Sequence, residues 1–371
     1  MAVVVTGIGW VSALGQNAPE TWQRLLRGDS AIALRQPFKA LPPRPLAMIG
    51  KRPSDLNALL WTAVTDAVTD AQLSLPLPNC GVVIGSSRGY QRDWEAALAS
   101  EQVAAWLEHL PHMGAMTVAR HLASQGPVLS PMAACATGLW AIAQGADLIR
   151  AGQCEQVLVG AGEAPITPLA LTGFEQMKAL AQTGCYPFDE QREGLVLGEG
   201  AAVLMLESEA AARARGAKVY GHFLGAGLTA DANHISAPDA VSQQGGLSAL
   251  HTCLRRSQLL PEDVSFIHAH GTSTRLNDAY EATLIQKVLP STTWVTGTKG
   301  ATGHTLGASG AMGVAACLLS LNQQVLPPCT GLRTAAFDLN LVTQATSASL
   351  STALCMSFGF GGQNAMVAFR R

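Results

Sequence analysis

Charged and aromatic side chains are scarce in this chain of 371 residues. Asp, Glu, Lys and Arg together make up 13% of it, aromatic residues make up 5%, and the formal net charge is −2. A nucleic-acid-binding surface needs clustered positive charge, and often aromatic rings on which bases stack. The composition therefore argues against a nucleic-acid partner.

Long apolar runs and a positively charged start are also missing. Residues 1–9 contain no basic residue ahead of their apolar run, and glycine interrupts that run after a few positions. A signal peptide carries positive charge before its apolar core, and a membrane span needs about 18 to 20 apolar residues in a row. We therefore expect neither, and we interpret the first residues as a strand.

The eight cysteines lack the spacing of a metal site or a disulfide framework. No two of them form a C-x-x-C pair, and most have apolar neighbours. Short, regular cysteine spacings are typical of zinc sites and of small secreted domains. We expect no metal and no disulfide, which favours the reducing cytoplasm. The cysteines are Cys80, Cys135, Cys154, Cys185, Cys253, Cys317, Cys329 and Cys355.

Apolar residues are abundant, at 48% of the chain. The chain can therefore bury a large core for its length, and a large dimer interface would also suit this composition. Short β-rich runs alternate with longer helical patterns, which predicts an α/β architecture. Strands are predicted at residues 2–6, 81–84, 156–160, 201–206, 219–224, 264–268, 294–296, 353–357 and 365–369.

Two predicted helices, Ala136–Ile149 and Leu306–Leu321, are small and apolar on all sides. They carry glycine or alanine where a surface helix would carry Glu or Lys. Such helices suit burial against each other between layers. Because each half of the chain contains one such helix, the two halves resemble each other. We place the boundary in the charged segment 213–218, so that residues 1–215 form one half and residues 216–371 the other.

Cys135 lies just before the first of these helices. The unpaired N–H groups and the dipole of a helix start favour a thiolate, so the position predicts a nucleophile near neutral pH. A lone cysteine is more often an inert core residue. Support comes from His270 and His304, which lie at the tips of predicted elements, where α/β folds collect catalytic groups. His268, two residues before His270 on the same strand, is interpreted as a core histidine.

Six separated motifs resemble those of the β-ketoacyl-acyl-carrier-protein synthases, and among these the elongating condensing enzymes of the Cys-His-His type. The resemblance runs nearly end to end. It implies a duplicated five-layer αβαβα thiolase-type fold, which periodicity alone does not establish. It also implies an acyltransferase that condenses a cysteine-bound acyl chain with malonyl-acyl carrier protein, with loss of carbon dioxide. The motifs are Val3–Gly15, Ala134–Gly138, Pro187–Gly200, Ala269–Thr274, Lys299–Ala308 and Ser357–Asn364.

The resemblance assigns catalytic roles to matching residues. Cys135 accepts the acyl chain as a thioester. His270 and His304 stabilise the enolate formed from the malonyl group, and Lys299 belongs to the same catalytic group. The backbone N–H groups of Cys135 and Phe360 form an oxyanion hole for the reacting carbonyl.

Further residues are assigned to substrate binding. Thr272 and Thr274 match threonines that bond the phosphopantetheine arm of acyl carrier protein, although they could also simply satisfy a turn. Phe358 and Phe360 match residues that line or gate the acyl tunnel. The reaction that the resemblance implies needs no metal or redox cofactor, since decarboxylation generates the carbanion. The implied partners are acyl carrier protein and a second ketosynthase subunit, in a homodimer or a heterodimer.

A thiolase and a chain-length factor are the alternatives to an active condensing enzyme. A thiolase would need a second catalytic cysteine before the last glycine turn, where this chain has Phe358 and Phe360; Cys355 lies upstream in a predicted strand. A chain-length factor, the partner subunit that shapes the tunnel of an active ketosynthase, typically lacks the nucleophile, whereas Cys135 is present. Activity without a second chain would separate an active subunit from such a partner.

The chain also departs from the family pattern. Gly313 stands where elongating synthases usually carry a glutamate near the lysine that matches Lys299, and Arg275 stands where proline is common. The chain is shorter than typical members between residues 31 and 79. These departures suggest a specialised synthase for polyketide or aryl-polyene chains. The acyl length and the cognate carrier cannot be predicted from them.

The chain also contains an acidic pair at a predicted helix start and a basic cluster in its first half. Asp278 and Glu281 follow a predicted helix start and are interpreted as capping and dipole partners. Arg44, Lys51 and Arg52 form the densest basic cluster in the first half, and we consider them as a docking patch for an acidic carrier protein or as a solvated loop.

Overall fold

The computed structural model describes residues 1–101 and 104–371, in which strands and helices alternate. Side chains of Asn17, Asp55, Thr167 and Ser208 cap four helices by accepting an N–H of the first turn. The elements of the first half are β1 (Val3–Ser12), α1 (Ala18–Leu26), β2 (Ala33–Arg35), β3 (Arg44–Leu46), α2 (Leu56–Asp70), β4 (Cys80–Gly85), α3 (Gln91–Ser100), α4 (Met113–Leu122), β5 (Val128–Leu129), α5 (Thr137–Arg150), β6 (Gln156–Glu163), α6 (Pro168–Gln176), β7 (Gly200–Ser208) and α7 (Glu209–Ala214).

The second half continues the alternation, and 3-10 turns at Trp106–His109, Pro261–Asp263 and Leu306–Ala308 supplement it. Its elements are β8 (Gly221–Ala230), α8 (Gln244–Ser257), β9 (Phe266–His268), α9 (Arg275–Val288), β10 (Trp294–Thr296), α10 (Lys299–Thr302), α11 (Ser309–Gln323), β11 (Val325–Leu326), β12 (Asn340–Leu341), β13 (Thr346–Ser347), β14 (Thr352–Gly359) and β15 (Gln363–Arg370).

Eleven strands form one sheet in the order β12-β10-β9-β14-β15-β8-β1-β7-β6-β4-β5. From β1 through β7, β6 and β4 to β5, successive ladders are antiparallel, antiparallel, parallel and parallel. From β8 through β15, β14 and β9 to β10 the same series recurs. The two series join where β1 pairs with β8 over residues 3–5 and 221–223 only. The fold is therefore a duplication of one strand pattern.

Helices cover both faces of each series and fill the space between them. α2 and α4 pack on the outer face of the first series, and α8 and α9 on that of the second. α5 and α11 lie in the middle, in contact with each other and with strands of both series. Five layers result, in the order αβαβα, which confirms the fold expected from the family resemblance.

The two central helices approach each other through glycine. A Cβ atom added at Gly138 of α5 would lie 2.6 Å from the backbone N of Ala311, and one at Gly310 of α11 would lie 2.8 Å from Cγ of Leu139. Every residue from Ser309 to Leu321 is buried. The small apolar pattern of these helices is thus explained by backbone-to-backbone packing in the interior.

All nine predicted strands are present, and most are longer than predicted. Six more strands, β2, β3, β5, β11, β12 and β13, were not predicted because two or three residues are too few to show alternation. The charged segment near Arg213 is not an open linker: α7 occupies its beginning, and Arg215 bonds the fully buried Glu207. Within the described part of the chain, no helix has both the length and the apolar character needed to cross a membrane.

Candidate active site

A strained turn presents Cys135 ahead of α5. The preceding residue, Ala134, has φ 48°, in the left-handed region that costs an L-residue about 1 to 2 kcal/mol. The Thr137 hydroxyl holds this turn, because it donates to the carbonyl of Ala134 (2.7 Å) and accepts from the N–H of Ala133 (2.9 Å). Strained backbone of this kind concentrates at functional sites. It places the Cys135 thiol at the wall of a cavity of about 290 Å³.

The resting thiol is not the thiolate that the helix start predicts. Burial raises the pKa of Cys135 to about 11, although the charges of Lys299 and Arg88 and a hydrogen bond from the Phe360 N–H all lower it. α5 begins two residues after Cys135, so the helix dipole acts from a distance. The prediction of a thiolate near neutral pH is wrong for the free protein, since desolvation outweighs the dipole.

His270 and His304 reach the same point from the second half. His270 follows β9, and His304 follows α10 and Gly303, whose φ of 67° suits glycine. Their ligand-type nitrogens and the Cys135 sulfur all lie within 4.8 Å of one another. The two imidazole rings are perpendicular, with centroids 5.3 Å apart, and both are buried. The structure therefore brings together the three residues that the sequence singled out.

Hydrogen bonds fix the position of the proton on the His270 imidazole and allow the same tautomer in His304. Nδ1 of His304 lies 2.9 Å from the Ser309 hydroxyl. Nδ1 of His270 lies 3.3 Å from Nζ of Lys299 and 3.3 Å from the Ser357 hydroxyl, whose proton is directed to the carbonyl of Cys135 (2.8 Å). An ammonium can only donate, so Nδ1 of His270 accepts and its proton is on Nε2. The Ser309 hydroxyl can give His304 the same tautomer.

Both histidines are neutral at physiological pH. Burial, together with the nearby charge of Lys299, holds the pKa of His270 and of His304 well below the usual value. A neutral imidazole with its proton on Nε2 can donate a hydrogen bond to an oxygen that gains negative charge. The site thus offers two donors beside one sulfur.

A buried carboxylate and Lys299 hold the His270 backbone from two sides. Glu281 accepts the N–H of His270 (2.5 Å) and of Gly271 (2.8 Å), while Nζ of Lys299 donates to the His270 carbonyl. Burial raises the pKa of Glu281 and lowers that of Lys299, and the Glu281 charge opposes the second shift. Glu281 is therefore the acidic group whose charge acts most on Lys299, at a place in the chain other than position 313, where the family pattern has a glutamate.

The capping interpretation of Asp278 and Glu281 is wrong. Thr274 caps α9, and its hydroxyl accepts the N–H of Asn277. Asp278 is fully buried and accepts the N–H groups of Phe188 (2.9 Å) and Ser273 (3.2 Å). The helical spacing of the two acids was visible in the sequence, but their inward direction was not. Asp278 and Glu281 follow the site histidine His270 by eight and eleven residues, and this closeness in sequence was the only available signal.

Gly313 leaves no room for the glutamate usual in the family. A Cβ atom there would lie 2.7 Å from Nδ1 of His268 and 2.8 Å from Sγ of Cys355. His268 is buried, and its Nε2 lies 3.2 Å from the Thr298 hydroxyl, consistent with the predicted core histidine. Cys355 is buried in β14 and does not line the cavity, so the second cysteine that a thiolase requires is not present there.

The proposed substrate-binding residues line the cavity that leads to Cys135. Thr272 and Thr274 lie there, their hydroxyls 2.9 Å apart. Phe358 packs edge-on against His270, with centroids 5.9 Å apart. Phe360 lies at the cavity wall, with its N–H directed to the thiol. Each of these positions suits the role implied by the resemblance.

The basic cluster predicted for carrier docking is divided by the fold. Arg44 is buried and pairs with Glu175, so it is not free to meet a partner. Lys51 and Arg52 are exposed. Lys178 and Arg275 instead lie at the cavity itself. They were not predicted as a basic cluster because they are far apart in the chain.

The ligand types at the site merit comparison with a metal centre. Cys135, His270 and His304 form the one group of three or more His, Cys, Asp or Glu ligand atoms found in residues 1–101 and 104–371. Zinc accepts such atoms. However, Lys299 donates to His270 in the same pocket, and an adjacent ammonium opposes a bound cation. The donor set therefore fits an anion-stabilising site better than a metal site.

Comparisons with known proteins agree with this geometry. The family model described as beta-ketoacyl synthase, N-terminal domain, matches residues 48–212, and the corresponding C-terminal domain matches residues 220–333. The 3-oxoacyl-[acyl-carrier-protein] synthase 2 of Staphylococcus aureus is 32% identical, over 100% of this chain and 98% of that protein.

Two solved structures extend the comparison to the fold. One is a type II polyketide synthase acyl-carrier protein in complex with its ketosynthase bound to the hexaketide: its matching chain has a TM-score of 0.93 at 26% identity, covering 100% of this chain and 99% of that one. The other is the ishigamide ketosynthase/chain length factor, with a TM-score of 0.91 at 27% identity, covering 100% and 98%.

These findings place the chain among the thiolase-fold acyltransferases. It belongs to the β-ketoacyl synthase family, the condensing enzymes of fatty acid and polyketide synthesis.

Proposed function

We propose that Cys135, His270 and His304 carry out a decarboxylative condensation between a cysteine-bound acyl chain and malonyl-acyl carrier protein. The observation that supports this most is the meeting of one thiol and two neutral imidazoles within 4.8 Å at a cavity wall. Each half-reaction uses a different part of this group.

In the first half-reaction the Cys135 sulfur attacks the thioester of the incoming acyl carrier protein. A new carbon–sulfur bond forms, the bond to the carrier sulfur breaks, and the thiol proton ends on the released carrier thiol. Burial disfavours the thiolate, and the charge of Lys299 and the Phe360 N–H offset part of that cost. The N–H groups of Cys135 and Phe360 receive the developing oxyanion.

In the second half-reaction malonyl-acyl carrier protein enters and loses carbon dioxide. The Nε2–H groups of His270 and His304 donate to the thioester carbonyl oxygen as it becomes an enolate oxygen. The enolate carbon attacks the acyl carbon on Cys135, and the cysteine sulfur leaves. The product is a β-ketoacyl chain on the carrier. Lys299 and Glu281 act through the His270 backbone by fixing the direction of its ring.

The carrier delivers both substrates on its phosphopantetheine arm. Thr272 and Thr274 bond the arm along the cavity, and Phe358 and Phe360 bound the entry to the acyl tunnel. Acidic carrier protein docks near the cavity, where Lys178 and Arg275 are the nearby cations. The reaction written this way uses no cofactor besides the carried arm.

We further propose that two ketosynthase chains assemble in the cytoplasm. Each chain would consist of a first half, residues 1–215, and a second half, residues 216–371. β5 is an edge strand, and Leu129 and Met132 beside it are exposed apolar side chains that a second chain would cover. The ishigamide relative combines a ketosynthase with a chain length factor. The present chain keeps the complete Cys-His-His group, which favours the role of the active subunit in a homodimer or heterodimer.

Intact-mass measurement tests this function. The purified chain, alone, is incubated with a panel of acyl-acyl carrier proteins, and acyl mass on Cys135 is expected. Addition of malonyl-acyl carrier protein should then release carbon dioxide and discharge the cysteine. A chain that acquires acyl mass and turns over only after a second ketosynthase subunit is added would be an obligate heterodimer component, and a chain that acquires no acyl mass even then would be an inactive partner.

A further inference from the structure

Arg88 has a fixed place beside the reacting residues. It belongs to the turn after β4, which the fully buried Glu163 holds by accepting the Ser86 hydroxyl (2.7 Å), the Ser87 N–H (2.8 Å) and the Arg88 N–H (3.0 Å). The same carboxylate accepts the N–H of Gly307 (3.0 Å), three residues after His304. Because one buried carboxylate bonds both segments, the Arg88 backbone cannot move independently of the His304 loop.

The Arg88 side chain lies against Phe174, a residue of the cavity wall at Cys135. Its guanidinium carbon lies 5.4 Å from the centroid of the Phe174 ring, and that ring lies 6.1 Å from the Phe360 ring. Phe360 donates its N–H to Cys135. The charge of Arg88 is also close enough to lower the pKa of the Cys135 thiol. A single aromatic ring therefore separates the cation from the residues around the sulfur.

This cation has no protein partner in residues 1–101 and 104–371, and its side chain is exposed. Other arginines differ in this respect: Arg44 pairs with Glu175, Arg92 with Asp55, and Arg215 with Glu207. The cation–π contact with Phe174 uses none of the five N–H donors of the guanidinium. These donors are available to a ligand.

The rest of this wall is apolar. Cys135 belongs to a cluster with Leu171, Phe174, Leu306 and other apolar side chains. An alkyl chain that passes Phe174 would be matched by these neighbours, but it would strip water from the guanidinium without replacing its hydrogen bonds. A chain with an oxygen acceptor at that depth would restore them with charge assistance.

We propose that Arg88 is a specificity-determining residue that selects acyl chains carrying a carbonyl or carboxylate oxygen beyond the thioester. This inference rests on the proposed acyl loading of Cys135 and names the class of chain that is loaded. Unreduced β-ketoacyl products of the same reaction belong to this class, and so do chains that end in a carboxylate. The shared chemistry is an oxygen acceptor for a guanidinium.

Competitive acyl loading tests the proposal. Wild-type protein is offered carrier-bound chains of equal length that end in a methyl group, a methyl ketone or a carboxylate, in hexanoyl and octanoyl series. The acyl mass on Cys135 is followed in time. We expect faster loading of the oxygen-bearing chains, and the ketone and carboxylate arms identify which acceptor is used.

The variant Arg88→Met should lower the loading ratio of oxygen-bearing to methyl-terminated chains by about tenfold or more, as expected for one charge-assisted hydrogen bond. Arg88→Lys should keep part of the preference, because it keeps the charge without the planar donor array. Arg92→Met, four residues along and paired with Asp55, is the matched control and should leave the ratio unchanged. Arg88→Met should still load the methyl-terminated chain, which shows an intact site; the lost charge near Cys135 slows both kinds of chain alike and therefore cancels in the ratio.

An unchanged ratio in Arg88→Met overturns the proposal. If light scattering of Arg88→Met also shows a shift in oligomeric state, the unchanged ratio means that Arg88 pairs with a second subunit and not with the acyl chain. Absence of acyl mass on wild-type Cys135 with every chain, including small pantetheine thioesters, is a different result: it contradicts the proposed acyl transfer itself.

Discussion

At the scale of single residues, the chemistry of the site depends on how burial acts on three ionisable groups. Burial raises the pKa of Cys135 and lowers the pKa of both histidines. A thiol and two neutral imidazoles are therefore the resting forms. The imidazoles need no proton exchange before they donate to an enolate, whereas the thiol must lose its proton during acyl transfer.

The variant Cys135→Ala should lose acyl loading completely and remain folded. Alanine retains the small volume that the turn before α5 accommodates, so the free energy of unfolding should change by no more than about 1 kcal/mol. Intact mass after incubation with acyl carrier protein and urea denaturation measure the two effects. Acyl mass retained at the wild-type level would identify a different nucleophile.

Replacement of His304 by alanine should separate the half-reactions. Acyl loading of Cys135 should persist, while malonyl decarboxylation falls by about 100-fold or more, because a donor to the enolate oxygen is lost. Carbon dioxide release and acyl mass are measured on the same sample. Undiminished release of carbon dioxide would exclude the assigned role.

The Lys299 charge predicts a pH effect. It helps to lower the pKa of both histidines, so the neutral forms persist below the usual histidine range. In Lys299→Met these pKa values rise, protonation begins at higher pH, and the acidic limb of the decarboxylation profile should move up by about one pH unit. Lys287→Met, in α9, where Nζ donates to Gln243, is the control. A limb that stays in place or moves to lower pH would contradict this account.

At the scale of elements, the distance between α5 and α11 determines the distance between Cys135, which precedes α5, and His304, which precedes α11. The variant Gly138→Ala places a methyl group 2.6 Å from the backbone N of Ala311. Because backbone cannot yield cheaply, we expect a loss of about 1 to 3 kcal/mol in the free energy of unfolding, together with slower condensation.

The control for this variant is Gly173→Ala in α6, where an added Cβ meets nothing within 4 Å. There the substitution should stabilise the protein by about 0.5 to 1 kcal/mol through helix propensity. Denaturation midpoints of both variants provide the comparison. Equal effects at positions 138 and 173 would show that helix propensity, and not contact between the helices, determines the outcome.

Elements also show how far sequence reasoning extends. The period of apolar residues predicted nine strands and two buried helices, because the period and the length of an apolar pattern can be recognised without knowledge of the tertiary contacts. The short strands, such as β5, depend on partners that are distant in sequence. The direction in which Asp278 and Glu281 point follows from how α9 packs, which one chain's pattern does not encode. The reactive residues were found because their motifs are local, whereas the pKa of Cys135 follows from a burial that only the complete fold creates.

At the scale of the whole molecule, the proposed dimer depends on an edge that the fold leaves open. Leu129→Glu and Met132→Glu place charges beside β5, where a second chain is proposed to pair, and should shift the population toward monomer. Light scattering across a concentration series measures the shift. Leu260→Glu is the control, since Leu260 is also exposed but lies beside the 3-10 turn Pro261–Asp263 in the other half. A monomeric wild type, or an equal shift in the control, would contradict the assignment of this edge.

The repeated strand pattern gives the molecule an internal pseudo-twofold relation. β5 corresponds to β10 in that pattern, and α5 corresponds to α11. Cys135 precedes one central helix and His304 precedes the other, and the sulfur and the imidazole nitrogens lie within 4.8 Å of one another. Because these two corresponding segments meet each other, two copies of the pattern yield a single site. The reaction is asymmetric, because the electrophile is carried on Cys135 and the enolate is bound beside His304. These two different residues nevertheless have corresponding places, each ahead of one of the two central helices.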